Sequence, residues 1–567
     1  MLRKALYRGA ASCRNQNRTI SRASMPLRAK IKNPAFTVGG RAQISTAPPQ
    51  EESYSRSIKM EPTPEIIKEL EGDEPEDVLF DTLFGVRTIE LNRPKVLNSL
   101  NGSMVRKIVP RLQEWAKSDM ANVVIMKGAG PKAFCAGGDV KHLAEDNAKG
   151  EEGKRRSEAY FGLEYQLDHL IATYKKPYVA FMDGITMGGG VGLSIHAPFR
   201  IATERTVFAM PETTIGFFPD VGASFFLSRM PGAVGTYLAL TSERLKGANV
   251  FYAGIATHYI HSTSLPALER RLAELRFKDY DRLSERLTLI DSTIEEFCTG
   301  LPHDEPILIQ GKLRSAIDRV FSKTNVPAVV TALKAEAENG GFLENGDAAR
   351  DGELKGWAEK TLATLHQRSP TSVYVTLRQM QLGKSWSISE TFQREHAIAA
   401  KFMHHPDFTE GVQALLVRKD KPKWKHASLE EIRETRENVS EPFFQLEGQA
   451  RLPLLSTADY MEYPFRDFGI PTEGQVQRLL KMPATRQAII KEMLKERKGK
   501  QGVKEVVEEI LARKTNADEK SKLLSWKGTG EKSIQVPKTE VIQDAPQKEP
   551  QEADTEVPQA EAPKPDL

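Results

Sequence analysis

The chain has 567 residues, of which 40% are apolar and 28% charged, an ordinary composition for a soluble protein with more than one domain. Its three cysteines, Cys13, Cys135 and Cys298, are too few and too scattered for a disulfide framework or a cysteine-based zinc site. Since no stretch approaches eighteen consecutive apolar residues, we expect no membrane span.

The net charge of +4 is distributed unevenly along the chain. Residues 1–50 hold ten Arg or Lys and no acid, which leaves 70 basic and 76 acidic residues, a net charge of −6, in the remaining 517. An Arg-rich, acid-free N-terminus with Ser and Thr is typical of a mitochondrial presequence, so we predict one over residues 1–50, removed somewhere within 35–55, and a matrix protein. The alternative is an unprocessed basic tail. The acidic body gives no reason to expect DNA binding.

Residues 78–91 read as a hairpin with Gly85 near its turn, and residues 98–115 as a helix with a kink at Pro110. Short apolar strands follow at 122–127 and 178–182, each ended by glycine. Because strands alternate with helices, the sequence predicts an α/β fold.

Two glycine-rich loops follow two of these strands. The first, residues 134–139, contains Gly137 and Gly138, and adjacent glycines let the backbone approach a ligand closely. The second has four glycines within residues 188–192 before a helical pattern, which places free N–H groups at a helix N-terminus and suggests an anion or oxyanion site. The alternatives are an ordinary tight turn and close helix packing. Neither loop has the pattern of a P-loop or of a dinucleotide fingerprint.

Two carboxylates come next along the chain. Glu212 lies in an apolar stretch, residues 208–218, where a carboxylate serves either as a cap or ion-pair partner or as a tuned acid/base group. Asp220 precedes a helical pattern over 221–230, which it would cap in the structural alternative.

Together these segments resemble the crotonase (enoyl-CoA hydratase/isomerase) superfamily over roughly residues 75–430. The motifs that carry the resemblance are Ala133–Asp139, Lys176–Ala180, Gly184–Ser194, Phe208–Thr213, Gly216–Gly222, Leu245–Gly247, Ser369–Ser372, Asp407–Val412 and Pro422–Lys425. The resemblance implies a spiral of ββα turns over 75–260 and a helical C-terminal part over 261–430. It also implies an acyl-CoA substrate whose carbonyl binds the backbone N–H groups of Gly138 and Gly189. No metal and no separate cofactor are implied, because CoA is part of the substrate.

The resemblance also indicates a branch of the superfamily. The hydratases carry one catalytic glutamate where this chain has Gly192 and another at the position of Glu212. Loss of the first, with Asp220 eight residues after Glu212, is similar to the branch that hydrolyses 3-hydroxyisobutyryl-CoA in valine catabolism. In that branch Glu212 would attack the carbonyl or activate water, and Asp220 would orient substrate or water. Glu164 would contact the substrate, unless it is merely a surface carboxylate on a helix.

The resemblance fades after about Trp424, whereas the chain continues to residue 567. Residues 431–495 form an extension that is dense in aromatics and prolines, which suggests a segment laid along a surface of this chain or of a partner. Residues 496–567 are rich in charge, and we predict a largely disordered tail with one short helix over 503–511. In some eukaryotic lineages a protein of this fold is a subunit of the small subunit of the mitochondrial ribosome. That role is the alternative to hydrolysis, and the two could coexist in one chain.

Overall fold

The computed structural model describes residues 66–278, 280–339, 352–435, 438–446 and 450–527. The predicted presequence and the part of the predicted tail from residue 528 onward lie outside the described residues. No helix within the described ranges is both long and apolar enough to cross a membrane.

The strands of the described residues are short. In chain order they are β1 (Val78–Leu83), β2 (Val86–Leu91), β3 (Val123–Gly128), β4 (Ala133–Cys135), β5 (Tyr178–Met182), β6 (Ile185–Met187), β7 (Phe199–Ala202), β8 (Val207–Ala209), β9 (Leu245–Lys246), β10 (His258–Tyr259), β11 (Ala484–Thr485), β12 (Thr515–Ala517) and β13 (Leu523–Trp526).

Helices occur along the whole described chain and predominate in its second half. They are α1 (Gly102–Lys117), α2 (Val140–Asn147), α3 (Glu151–Ala172), α4 (Gly189–Ile195), α5 (Ala223–Phe226), α6 (Val234–Thr241), α7 (Ala248–Tyr252), α8 (Leu265–Ala273), α9 (Leu283–Glu295), α10 (Gly311–Phe321), α11 (Val326–Asn339), α12 (Gly352–Gln367), α13 (Pro370–Leu382), α14 (Ile388–His404), α15 (Pro406–Val412), α16 (Leu429–Thr435), α17 (Glu441–Phe444), α18 (Glu473–Leu479), α19 (Arg486–Glu496) and α20 (Val503–Lys514).

Two sheets run side by side through the first half of the described chain. The larger has the order β1-β2-β3-β5-β7-β10, in which β1 and β2 form the predicted antiparallel hairpin and the other neighbours are parallel. The smaller has the order β4-β6-β8-β9, with only β9 antiparallel. Successive turns of the chain thus place one strand in each sheet, which confirms the predicted spiral of ββα turns.

Side chains alternate between the two faces of the larger sheet, as the period of a strand requires. On β3, Val124 and Met126 pack in one apolar cluster with helices α1 and α3, whereas Val123 and Ile125 pack in another with α8 and α9. Because both faces are covered by helices, the central strands are rich in apolar residues, and β5 is apolar throughout. Strand β5 is buried at all five residues and leads into β6, which the second glycine loop follows.

The extension lies on the chain's own body, which is the first of the two surfaces predicted for it. The hydroxyl of Tyr463 donates to the carbonyl of Ala197 at 2.5 Å, and the ring of Tyr460 lies 5.4 Å from that of Phe225. The side chain of Gln166 donates to the carbonyl of Pro453 at 2.6 Å.

The prediction that disorder begins at residue 496 is wrong for residues 496–527. Helix α20 packs with α18, α19 and strand β13 around a small apolar cluster that includes Val476, Met493 and Val507. A three-stranded sheet of order β11-β13-β12 closes this subdomain. The short helix predicted over 503–511 is present as α20, three residues longer at its C-terminus. The prediction missed that its apolar side chains are buried against residues from the predicted extension.

Candidate active site

Strands β4, β6 and β8 are parallel neighbours, so the loops that follow them meet at one edge of the smaller sheet. The first two of these loops are the glycine loops. Gly137 and Gly188 have φ angles of 111° and 46°, in the left-handed region that favours glycine. A Cβ atom on Gly188 would lie 3.4 Å from the Cα of Gly137, so the two loops are in contact.

This contact brings the predicted pair of N–H donors together. A Cβ atom on Gly189 would lie 3.4 Å from the backbone nitrogen of Gly138. Gly189 is the first residue of α4, and the N–H groups of a helix's first turn have no carbonyl acceptor within the helix. Within the described part of the chain, neither N–H donates to a backbone carbonyl. Two free donors side by side can bind a carbonyl oxygen and stabilise it as it becomes negative.

Glu212 follows β8 and begins a short 3-10 turn. Its Oε1 atom lies 3.0 Å from the position of a Cβ on Gly188, so the carboxyl reaches the glycine loops. The side chain is buried, and among the described residues Oε2 has no hydrogen-bond partner. Burial, and secondarily the negative charge of Asp220, raises the pKa of Glu212 well above its usual value.

Asp220 is held by an aromatic hydroxyl. Tyr165, on α3, donates to Oδ2 of Asp220 at 2.7 Å. Burial raises the pKa of Asp220 to about 7, although the hydrogen bond from Tyr165 opposes this rise. The capping alternative for Asp220 is wrong, because α5 begins at Ala223 with Gly222 as its cap. The predicted helix over 221–230 is also shorter, since only Ala223–Phe226 is α-helical and a 3-10 turn follows.

Glu164 lies one residue before Tyr165 on α3 and is only 2% exposed, so the surface alternative is wrong. Its Oε1 is the nearest atom to the position of a Cβ on Gly189, which places the carboxyl beside the two N–H donors. Burial and the charge of Asp220 raise the pKa of Glu164. The structure therefore brings all five predicted site residues into one buried region.

Asp168 is a member of this region that the sequence analysis missed. It lies one helical turn after Glu164, is fully buried, and neither carboxyl oxygen has a hydrogen-bond partner among the described residues. A Cβ atom on Gly192 would lie 2.6 and 2.8 Å from its two oxygens. Asp168 thus occupies the space beside the position where hydratases carry their first glutamate. Two acids four residues apart in the apolar stretch 161–172 were the signal in the sequence.

Glu395 was also missed, and it positions the loop that carries Asp220. From α14, its carboxylate accepts hydrogen bonds from the backbone of Gly222 at 2.7 Å and of Ser224 at 2.8 Å. The hydroxyl of Ser224 donates to it as well, at 2.6 Å. Burial raises the pKa of Glu395 to about 8. No local pattern links α14 to residues 220–224, so the sequence carried no signal for this contact.

Two other titratable side chains near the loops, Cys135 and His196, are uncharged. Burial raises the pKa of Cys135 to about 12 and lowers that of His196 to about 4, so both are neutral near pH 7. Elsewhere in the described chain, His258, Asp291 and Glu295 could ligate a metal. However, the ammonium group of Lys500 lies 2.8 Å from Nε2 of His258 and pairs with Glu295, so a cation already occupies that position.

The family model described as enoyl-CoA hydratase/isomerase matches residues 86–443. The chain belongs to this family. Its solved relatives include a carnitinyl-CoA dehydratase from Mycobacterium thermoresistibile, which is 34% identical, has a TM-score of 0.54, and is matched over 98% of its own length and 66% of this chain. Family membership confirms the predicted α/β crotonase fold and supports an enzyme that acts on CoA thioesters.

Two kinds of curated relative match the chain over different lengths. The mitochondrial 3-hydroxyisobutyryl-CoA hydrolase of Danio rerio is 44% identical over 359 residues, 63% of this chain and 87% of the relative. The small ribosomal subunit protein mS47 of Neurospora crassa is 55% identical over 509 residues, 89% of this chain and 94% of the relative. A match over 89% of this chain must include residues of the extension. The mitochondrial location predicted from the N-terminus is confirmed by these relatives.

Proposed function

We propose that this protein hydrolyses short 3-hydroxyacyl-CoA thioesters, with 3-hydroxyisobutyryl-CoA as the preferred substrate. The observation that carries the proposal is the placement of the buried carboxyls of Glu164 and Glu212 at the paired N–H groups of Gly138 and Gly189. At Gly192, where the hydratases carry a glutamate, the carboxyl of Asp168 occupies the space that a side chain would need. The identity of 44% with a hydrolase of this substrate supports the same choice.

In the proposed reaction the thioester carbonyl oxygen binds between the N–H groups of Gly138 and Gly189. As a nucleophile adds to the carbonyl carbon, the oxygen becomes negative and both hydrogen bonds strengthen. One such donor contributes roughly 3–4 kcal/mol to transition-state stabilisation in enzymes of this kind of chemistry. Both groups belong to the backbone, and the glycines keep the space in front of them open.

Glu212 supplies the second part of the chemistry by one of two routes. As a general base it removes a proton from water while the water oxygen bonds to the carbonyl carbon; the C–S bond then breaks and CoA leaves as a thiolate. As a nucleophile its carboxylate forms an anhydride with release of CoA, and water then hydrolyses the anhydride. Both routes need ionised Glu212. Asp220, held by Tyr165, would accept a hydrogen bond from the 3-hydroxyl group or from water.

A substrate panel tests this proposal. Purified protein lacking residues 1–50 should release CoA from 3-hydroxyisobutyryl-CoA, which a thiol reagent detects. It should leave crotonyl-CoA unhydrated. Efficient hydration of crotonyl-CoA without thioester cleavage would contradict the assignment to the hydrolase branch.

We further propose that the protein is a component of the small subunit of the mitochondrial ribosome. The match with mS47 over 89% of this chain supports this role, because the match includes the extension and the hydrolase relatives cover a shorter part. The extension is folded onto the body, and its last part forms a subdomain together with residues 496–527. Since the body is acidic, the proposed attachment is peripheral and made mainly to proteins.

Sedimentation of mitochondrial lysates tests the second role. Full-length tagged protein should migrate with small ribosomal subunits at low salt, and Glu212→Gln should migrate in the same way although it lacks hydrolysis. This variant separates the two proposals, since one concerns the site and the other the surface. Recovery of the protein only in light fractions, at low as well as high salt, would contradict the ribosomal role.

A further inference from the structure

The C-terminal subdomain, residues 473–527, carries a positive charge that the rest of the chain after residue 50 lacks. It holds 14 basic and 8 acidic residues, a net charge of +6. Residues 51–472 hold 52 basic and 59 acidic residues, a net charge of −7, and residues 528–567 have a net charge of −5. The family model ends at residue 443, so this basic part lies beyond the shared family fold.

Most of this positive charge lies at the surface of the subdomain. Ten of its 14 basic side chains are exposed, against four of its 8 acidic ones. Within the described part of the chain, no carboxylate pairs with the exposed side chains of Lys481, Lys491 or Lys498. Their ammonium groups are therefore available to an anionic partner.

Helix α19 separates its apolar and its basic side chains onto two faces. Ile489 and Met493 are buried in the apolar cluster of the subdomain, whereas Lys491 and Lys495 are exposed. Residues four apart on a helix lie on one face, about 6 Å apart along its axis. Lys495 pairs with Glu492 at 3.5 Å, and an exposed pair of this kind is weak enough for a partner to displace.

Arg478 and Lys498 extend this face to a polar cleft of about 870 Å³, which both side chains line. Arg478 pairs with Glu496 at 2.9 Å, so the end of α18 lies beside the end of α19. The four acids that line the cleft are themselves paired with cations, namely Asp291 and Glu295 with Lys500, Asp467 with Arg497, and Glu496 with Arg478.

We propose that this basic face, formed by Arg478, Lys481, Lys491, Lys495 and Lys498, binds the phosphate backbone of RNA in the small subunit of the mitochondrial ribosome. The inference rests on the proposed ribosomal role and names a partner for it. Lysine contacts to phosphate fix position without reading sequence. Since residues 478–498 contain no aromatic side chain on which a base could stack, the face fits an RNA duplex better than a single strand.

The similarity to mS47 includes the basic face. A match over 89% of this chain is long enough that it must include α18 and α19, whereas the match to the hydrolase of Danio rerio covers 63%. The relative that shares this surface is therefore the one named as a ribosomal protein. The acidic charge of residues 51–472 agrees with a contact to RNA that is confined to this subdomain.

Residues 528–567 are the competing occupant, because they are acidic and follow the subdomain directly. Their net charge of −5 is spread over 40 residues. An RNA strand carries about one negative charge per nucleotide, and binding to it is strengthened by the release of condensed counterions. The density of charge therefore favours RNA over this segment of the chain.

Fluorescence anisotropy with a labelled RNA duplex tests the face on purified protein lacking residues 1–50. We expect a Kd between about 1 and 100 µM at physiological salt, the range of sequence-independent binding. The combined change Lys491→Gln, Lys495→Gln and Lys498→Gln should weaken binding about tenfold or more and lower the slope of log Kd against log salt concentration by roughly two. The matched control changes Lys334, Lys355 and Lys360, three exposed lysines of α11 and α12, to glutamine and should bind RNA normally.

Three results of this assay would overturn the proposal. One is the absence of salt-dependent binding below about 100 µM. Another is equal affinity of the α19 variant and the unaltered protein. The third is binding that emerges only after the acids of residues 528–567 are changed to amides, which would assign the face to that segment instead.

Ultraviolet crosslinking of intact small subunits distinguishes failure of this inference from failure of the ribosomal role, and it needs no variant. We expect the protein to sediment with small subunits and to carry RNA crosslinks on peptides of α18 or α19. Co-sedimentation with crosslinks only in other parts of the chain, or with none, would overturn the inference and leave the role intact. A protein missing from small subunits would overturn the role and, with it, ribosomal RNA as the partner.

Discussion

Replacement of Gly189 by alanine should remove most of the hydrolytic activity while leaving the fold intact. The added Cβ would press against Oε1 of Glu164 and would lie 3.4 Å from the backbone nitrogen of Gly138 and 3.5 Å from Cδ2 of Leu100. The methyl group therefore occupies the space in which the carbonyl oxygen would accept both hydrogen bonds, and it displaces Glu164.

Alanine keeps the backbone N–H group but holds the carbonyl oxygen away from it, so the effect should be the size of losing one oxyanion donor. Such a loss costs roughly 3–4 kcal/mol of transition-state stabilisation, or about a hundred- to a thousandfold in turnover. Affinity for free CoA should change much less, because most of that molecule lies away from the carbonyl. Turnover by thiol release and CoA binding by calorimetry should be measured on the same preparation.

Gly356 provides the matched control, because it lies in α12 and nothing stands within 4 Å of a Cβ added there. Gly356→Ala should keep full turnover and be stabilised by up to about 1 kcal/mol, the difference in helix propensity. Near-normal turnover in folded Gly189→Ala would refute the oxyanion assignment. Equal losses of turnover and CoA affinity would also refute it, since the defect would then lie in binding.

Three further predictions concern protonation and import. Hydrolysis should increase with pH between about 5 and 8, because the base must be ionised and burial raises the pKa of Glu212 and brings that of Asp220 to about 7. A kcat/KM that does not change with pH would contradict this prediction. Asp168→Asn should reduce the loss of stability with rising pH. A carboxyl whose pKa is raised in the folded state stabilises the fold at acidic pH and loses that contribution as pH rises. Denaturant titrations across pH that match the wild type would contradict this prediction. Deletion of residues 2–50 should leave the protein in the cytosol, and unchanged import in a fractionation experiment would remove the argument for a presequence.

Local sequence patterns were sufficient for the parts of the fold that depend on short-range physics. Gly85 near the turn marked the hairpin of β1 and β2, and continuous apolar runs marked β3 and β5. The glycine loops were visible because the backbone needs glycine where φ is positive, as at Gly137 and Gly188. The candidate site then followed from the resemblance to a family rather than from local pattern, since spacing alone could not place Gly138 beside Gly189.

Contacts between distant segments could not be predicted in this way. Glu395 contacts the loop at Gly222 from more than 170 residues away, and the sequence around neither residue predicts this contact. The folding of residues 496–527 was missed for a related reason. The helix over 503–511 was predicted, but the charged composition of the segment gave no sign of the apolar cluster in which that helix is buried. In both cases the deciding interaction is a tertiary contact, and a local sequence pattern shows only one of the two segments that make it.

The role of Glu212 is the central claim, and Glu212→Gln tests it most directly. Glutamine has nearly the same shape but neither attacks a carbonyl nor accepts a proton from water, so kcat for 3-hydroxyisobutyryl-CoA should fall about a hundredfold or more. The control is Glu114→Gln, which removes an exposed pair with Arg111 and should retain full activity. Substantially retained turnover in folded Glu212→Gln would contradict the account and transfer the catalytic role to another carboxyl, with Asp220 the first candidate.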